Sequence, residues 1–198
     1  SVSTGAIIGV FERGPIGVPR LVTSLTEFQD VFGGYIPSSY APNAVEGAFR
    51  NKPGMRLYCV RTAHYTDPTD PSSCTAKRST VTIKDRNTVT PVDTLKVEAA
   101  AEGAWGDEIA VEVADATKDA ANKFRLVVKY GGVVKEVFDE LSMDELSSDF
   151  AETRINGKSK YIRVTDLDTT TAAPEDRPAV GTYTLTGGDD GLTGLSDS

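Results

Sequence analysis

The sequence predicts an α+β protein: a partial α/β core segment followed by an inserted β-sandwich domain with one helix. Residues 1–65 alternate strand-like and helix-like hydrophobic patterns, whereas the later patterns are mostly strand-like. Two Asp-Pro steps in the turn-rich stretch 67–73 separate the parts, because such steps disfavour helix. Residues 1–65 hold six basic and four acidic side chains while the whole chain has a net charge of −8, so the acidic excess lies after residue 65. We therefore expect a domain boundary near residue 66.

The first part begins with a predicted strand and a predicted helix. Residues 6–11 form a short, continuous apolar run, which is typical of a buried strand. Ser24-Leu25-Thr26-Glu27 is a capping box, in which the serine oxygen accepts a hydrogen bond from the amide of the glutamate. Gly33-Gly34 then ends this helix.

A second helix and a second strand complete the first part. The helix is predicted over residues 40–51, where Pro42 is tolerated because first-turn amides have no helical partner. Residues 55–62 follow as a strand, so the predicted order is β-α-α-β. Two strands and two helices are few elements for a core, so we expect this segment to be half of a domain whose other half follows residue 198.

The second part is predicted to contain about seven short strands, which indicates a β-sandwich. Its strand-like stretches are residues 80–84, 95–99, 108–113, both arms of a hairpin over 124–138, 161–165 and 182–185.

Two local motifs define the predicted hairpin and the one helix of this part. Gly131-Gly132 supplies a two-residue turn that places Tyr130 opposite Val133 and Leu126 opposite Val137. Ser142-Met143-Asp144-Glu145 is a second capping box, with Leu141 expected to pack on Leu146.

Composition excludes several classes of protein. With 39% hydrophobic residues among 198, the chain is long enough to bury a core. No run of 18 apolar residues is present, and residues 1–5 lack the basic region of a signal peptide, so we expect no membrane insertion. A pI near 4.7 argues against binding nucleic acid. One histidine and two cysteines exclude a His-rich metal centre and a disulfide framework.

Two glycine-containing stretches resemble phosphate-binding loops only in part. Asn156-Gly157-Lys158-Ser159 contains the Gly-Lys-Ser of such a loop, but Glu152 stands where the pattern needs a glycine. Gly9, Gly14 and Gly17 follow a strand, but their spacing does not match a dinucleotide-binding loop and Pro15 stands where its helix should open. We interpret both stretches as turns.

The remaining candidates also favour structural roles. Asp166-Leu167-Asp168 and Asp189-Asp190-Gly191 lack the other ligands of a calcium loop and are expected to be solvated turns. His64 has no evident nucleophile or orienting acid. Trp105, the only tryptophan, is expected to fill a core or a domain junction. We predict no catalytic, cofactor-binding or metal-binding residue and no enzymatic activity.

Cysteine usage gives one further expectation. Cys59 lies within a predicted strand and is expected to pack as a small apolar side chain. Cys74 lies in the turn-rich connection, and a Cys59–Cys74 disulfide has no support from the sequence. Reduced thiols are the expectation for a protein that folds in the cytosol.

Read together, five stretches resemble the tail sheath proteins of contractile phage tails and of related prophage particles. Their order and spacing match that family across nearly the whole chain: residues 3–15, 21–34, 39–61, the Gly-Ala-Trp-Gly-Asp of 103–107, and the Leu-Thr-Gly-Gly-Asp-Asp-Gly of 185–191.

The resemblance implies a domain organisation. Residues 1–65 would be the first part of the sheath core α/β domain, 66–186 a protruding β-sandwich domain, and 187–198 a linker returning to the missing core. The chain would thus be an N-terminal fragment. Sheath proteins also carry arms that pair with strands of neighbouring subunits, and their absence here implies that the fragment does not polymerise as the full protein does.

The resemblance also implies a mechanical function. The full-length subunits would form hexameric rings around a tail tube, next to a baseplate, in a virion tail assembled in the host cytoplasm. Contraction of the sheath would drive the tube through the host envelope without a cofactor.

Two other functions fit parts of the sequence. One alternative is a glycan- or protein-binding β-sandwich module of a virion, for which Trp105 and the acidic turns would form the site. A small phosphate-handling or metal-dependent hydrolase is the enzymatic alternative, which the weak motifs above disfavour.

Overall fold

The computed structural model describes residues 3–195, which form two compact units. Unit 1 contains residues 3–77, 101–105 and 189–195, and unit 2 contains 78–100 and 106–188. The chain therefore leaves unit 1 after Lys77, returns for five residues, and returns again at Asp189.

Unit 1 contains three strands and two helices in the order β-β-α-α-β. They are β1 (Thr4–Gly9), β2 (Arg20–Val22), α1 (Leu25–Phe32), α2 (Ala41–Asn51) and β3 (Arg56–Arg61). The strand order is β1-β3-β2, with β1 parallel and β2 antiparallel to β3. The sequence predicted β-α-α-β, so the structure adds β2. This strand has only three residues, which is too few to show the alternating hydrophobic pattern of a strand.

Both helices of unit 1 begin and end close to their predicted limits. The Ser24 hydroxyl accepts the amide of Glu27 at 3.1 Å, as the capping box predicts. The Glu27 carboxylate bonds instead to the amide and hydroxyl of Thr23, both at 2.8 Å. Pro42 lies in the first turn of α2, where its missing N–H removes no helical hydrogen bond.

The helices cover one face of the three-stranded sheet. The core between the helices and the sheet contains Phe11, Phe28 and Phe32, whose ring centroids lie 4.9–5.4 Å apart. The fully buried members of this core are Phe11, Val22, Phe28, Phe32, Val45, Leu57 and Cys59. Gly9 allows α2 to approach β1, because a Cβ there would lie 2.5 Å from that of Ala41.

The opposite face of this sheet is not covered by either helix. Alternation along paired strands places Ala6 and Ile8 of β1 beside Tyr58 and Val60 of β3 and near Leu21 of β2. We call these five residues the open face. Ile8 is 69% exposed and Tyr58 is 42% exposed. All-parallel sheets are ordinarily buried on both faces, whereas the parallel β1–β3 pair of this mixed sheet leaves apolar side chains exposed on one face.

Unit 2 contains two antiparallel sheets, of four and three strands. The strands are β4 (Thr80–Lys84), β5 (Asp93–Ala99), β6 (Ile109–Asp115), β7 (Phe124–Tyr130), β8 (Val133–Leu141), β9 (Ile162–Asp166) and β10 (Gly181–Thr184). Their orders are β10-β6-β7-β8 and β4-β5-β9. Each strand lies within a few residues of a predicted one. The sandwich arrangement itself remains a prediction.

The β7–β8 hairpin follows the predicted turn but not the predicted register. Gly131 and Gly132 both have positive φ, 56° and 78°, and Tyr130 lies opposite Val133 as expected. The predicted pairing of Leu126 with Val137 is wrong, because an irregularity at Val128/Lys129 shifts the ladder by one residue. Leu126 pairs with Phe138, and Val137 with Val127.

The helix of unit 2 begins later than the second capping box predicts. The Ser142 hydroxyl accepts the amide of Asp144 at 3.0 Å, which makes a local turn, and the five-residue α3 spans Ala151–Ile155. The expected contact of Leu141 with Leu146 is also wrong, since Leu146 is 96% exposed. Among residues 3–195, no helix combines the length and apolar character needed to cross a membrane.

Candidate functional site

Several of the stretches singled out in the sequence meet at one buried arginine in unit 1. Arg61, the last residue of β3, is fully buried. Its guanidinium donates to the carbonyl oxygens of Gly14 at 3.1 Å and Glu102 at 2.6 Å. An Asp190 carboxylate oxygen lies 3.7 Å from Nη2. We call these four residues the Arg61 junction.

The junction keeps a positive charge away from solvent. Burial lowers the pKa of Arg61, and the nearby Asp190 carboxylate opposes that shift. Among the described residues, Nε and Nη2 have no hydrogen-bond partner. The charge is therefore compensated mainly by two carbonyl dipoles and the Asp190 carboxylate, with further attraction from Glu102 and Glu12.

The Gly-Ala-Trp stretch supplies the closest neighbours of the junction. Gly103 has a φ of +132°, and a Cβ there would lie 3.0 Å from Nη2 of Arg61 and 2.8 Å from Oδ1 of Asp190. The same Asp190 oxygen accepts the amide of Ala104 at 3.0 Å. Only glycine at position 103 allows this close approach without strain.

Trp105 is 4% exposed, as the sequence predicts for a residue that fills a core. Its indole N–H donates to the carbonyl of Glu102 at 3.2 Å, and the Arg13 guanidinium carbon lies 5.4 Å from the ring centroid. A buried indole does not offer its face to a sugar, so the structure gives no support to Trp105 as a glycan-binding residue.

Backbone hydrogen bonds connect the same segments around the junction. The carbonyl oxygen of Lys77 accepts a hydrogen bond from the amide of Gly103 at 2.9 Å. The amide of Lys77 donates to the carbonyl oxygen of Asp189, also at 2.9 Å. The amide of His64 donates to the carbonyl of Gly191 at 2.7 Å. Segments far apart in sequence are thus joined directly to each other and to the end of β3.

The partial phosphate-loop motifs are turns in the structure. Asn156 ends α3, Gly157 has a φ of 77°, and the Ser159 hydroxyl donates to the Glu136 carboxylate. Gly9 allows α2 to pack closely on β1, and the carbonyl of Gly14 accepts a hydrogen bond from Arg61. None of these groups forms an anion-binding cradle.

The acidic motifs likewise make local turns, except that Asp190 is not simply solvated as expected but belongs to the Arg61 junction. Asp189 accepts the amide of Gly191 at 2.7 Å, and Asp166 accepts that of Asp168 at 3.0 Å. Asp166 lines a small cavity with Glu145 and Asp176, and burial raises its pKa. Within residues 3–195, three or more His, Cys, Asp or Glu side chains nowhere converge as metal ligands would.

The cysteines and the histidine complete the set of candidates. Cys59 and Cys74 are both free thiols, and burial raises the pKa of Cys59 to about 11. A thiol with such a pKa is unreactive at neutral pH. The His64 side chain packs against Gly194. A Cβ at position 194 would lie 2.9 Å from Nε2 of His64.

No sequence motif marks Arg61 as a central residue, although it ends one of the five sheath-like stretches. The signal was present: Leu57, Cys59 and Arg61 alternate, so a period of two places the arginine on the buried face of β3. Its partners at positions 102 and 190 were not predictable, because they are distant in sequence.

Comparison with known proteins gives the fold a precedent. No family model matches the chain, and no curated protein matches it. The solved structures do include matches. The sheath tail protein of Desulfitobacterium hafniense aligns with 97% of this chain at a TM-score of 0.56 and 12% identity. The sheath tail protein of Listeria innocua aligns with 96% of it, at the same TM-score and identity.

This chain has the fold of a sheath tail protein. It spans only about a third of each matched structure, 36% and 34% of their lengths. At 12% identity the similarity is one of fold, and the sheath-like fold extends over nearly all of the chain described here.

Proposed function

We propose that this chain is part of a contractile tail sheath subunit, which polymerises around a tail tube and contracts to drive it through a host envelope. The observation that carries the proposal is the sheath tail protein fold over 96–97% of the chain. The order of the five sequence motifs supports it independently of the fold.

In this proposal residues 1–65 open the core α/β domain, 66–186 form a protruding β-sandwich, and 187–198 lead back to the core. The open face supports the first assignment. Ile8 and Tyr58 expose apolar surface on a sheet whose other face is covered. Further chain of the full subunit would cover it and complete a layered α/β domain.

The proposed role is structural and not enzymatic. Energy would be stored at assembly in one set of subunit contacts and released when a better set forms, so that no nucleotide is consumed. The partners would be other sheath subunits in hexameric rings, the tail tube and the baseplate, within a virion tail. The acidic excess after residue 65 would keep neighbouring protrusions apart.

Electron microscopy of the full gene product that contains these 198 residues tests the proposal. We expect tubular assemblies with six-fold symmetry in end-on views. A product that stays monomeric in the presence of its tail tube contradicts the proposal.

A charge introduced on the open face tests the domain assignment. Ile8→Asp should leave the 198-residue chain folded, because Ile8 is already exposed, but should prevent soluble expression of the full product. Val89→Asp is the matched control, since Val89 is 88% exposed on the β4–β5 connection. Equal behaviour of the two variants in the full product contradicts coverage of the open face.

A further inference from the structure

We propose that the Arg61 junction is a latch: the Arg61–Asp190 pair holds segments 101–105 and 189–195 against β3, and it opens without dismantling the rest of unit 1. This inference does not rest on the proposed function. Its basis is that one buried guanidinium contacts three separate segments, through Gly14, Glu102 and Asp190.

The hydrophobic core of unit 1 does not need the two latched segments. Every member of that core, buried or partly buried, lies between residues 7 and 59. The sheet and both helices therefore keep their packing when 101–105 and 189–195 leave. Trp105 is the buried apolar side chain of these segments, and segments with few such contacts open locally at a lower free energy than the core does.

The charges make the opening nearly all-or-none. Arg61 is completely buried, whereas the Asp190 side chain is 36% exposed. When Asp190 withdraws, the guanidinium loses the carboxylate that attracts it most and is drawn towards water, which displaces the Glu102 carbonyl as well. The carboxylate that also accepts the amide of Ala104 is thus the accessible part of the latch.

Two measurements on the 198-residue chain report the latch directly. Trp105 is the only tryptophan and lies in a latched segment, so its emission and its quenching by acrylamide report release of 101–105. Hydrogen exchange at the amides of His64, Lys77 and Gly103 reports the backbone bonds of both latched segments. The amide of Phe28, bonded to Ser24 within α1, is the internal reference.

We expect Asp190→Asn to raise exchange at the three reporter amides by about tenfold and to increase quenching of Trp105, with exchange at Phe28 unchanged. The asparagine oxygen still accepts the amide of Ala104, so the variant removes charge and little else. Arg61→Met should have a larger effect in the same direction. If Arg61→Met unfolds the whole unit, the exchange rates and Trp105 quenching of Asp190→Asn alone test the latch.

A double-mutant cycle separates a latch from simple loss of packing. Asp190→Asn should change exchange much less in the Arg61→Met background than in the native chain, because the charge it serves is gone. The exposed helical pair Arg50–Glu46 is the matched control, and Arg50→Met should leave every reporter at its native rate. Additive effects in the cycle, or native exchange rates in Asp190→Asn, overturn the proposal.

Discussion

At the scale of single residues, buried charged groups organise loops in both units. Arg61 does so in unit 1. In unit 2, Asp85 follows β4, is 3% exposed, and accepts the amides of Asn87 and Val92, each at 3.2 Å, and the hydroxyl of Thr171. Protein hydrogen bonds replace water around Asp85 and around Nη1 of Arg61, and such bonds help a charge to be tolerated inside a protein.

Asp85 predicts an acid dependence of stability. Burial raises the pKa of Asp85, but its hydrogen bonds outweigh burial and the net pKa lies below the ordinary 3.8. Its stabilisation is therefore fully present above the unfolded-state pKa and is lost as pH falls through the lower folded-state value. The free energy of unfolding, measured by urea titration, should fall between pH 6 and pH 3 less steeply in Asp85→Asn than in the native chain.

The same variant should be less stable than the native chain at pH 7 by about 1–3 kcal/mol, because hydrogen bonds to a charge are weakened. Asp93→Asn, on the exposed start of β5, is the control and should keep the native free energy of unfolding at pH 7. An unchanged slope in Asp85→Asn contradicts the role given to that carboxylate.

At the scale of elements, local signals specify the helices and turns of this chain well. Ser24 caps α1 and Gly131-Gly132 turn the hairpin, because each requires only neighbouring atoms. The second capping box fails, since the Ser142 hydroxyl makes a two-residue turn and the chain becomes helical only at Ala151. A cap motif permits a helix, and packing decides whether one forms.

The hairpin turn yields an element-scale prediction. A Cβ on Gly131 would meet only Glu108 Oε2, at 3.8 Å. A substitution there therefore destabilises the protein through backbone strain at positive φ and not through a steric clash. Gly131→Val should lower the free energy of unfolding by about 1–2 kcal/mol, because a branched residue disfavours positive φ. Gly131→Asn, which tolerates that conformation, should cost about 0.5 kcal/mol or less. Equal urea midpoints for the two variants contradict the turn assignment.

At the scale of the whole molecule, two compact units have separate buried residues while the chain passes between them repeatedly. Val45 lies in the core of unit 1 and Val111 in β6 of unit 2, both fully buried. Because domains with their own cores can unfold separately, the two units need not share one unfolding transition.

Matched core truncations test this separation. Val45→Ala should lower the stability of unit 1 by about 2 kcal/mol and raise hydrogen exchange at the amide of Phe28 in α1. Val111→Ala should leave exchange at Phe28 unchanged and raise exchange at the amide of Gly131, which bonds to the Glu108 carbonyl within unit 2. If either variant moves both probes equally, the chain unfolds as a single cooperative unit.

The sequence by itself determined the α+β class, both helices of unit 1, all the strands of unit 2 to within a few residues, and the resemblance to sheath proteins. These depend on hydrophobic period, caps and turns, which act between residues close along the chain. Only the tertiary structure decided the strand β2, the shifted β7–β8 register and the meeting of Arg61 with Glu102 and Asp190. Such contacts join residues separated by tens of positions, and their pairing is set by the path of the folded chain and not by any local preference.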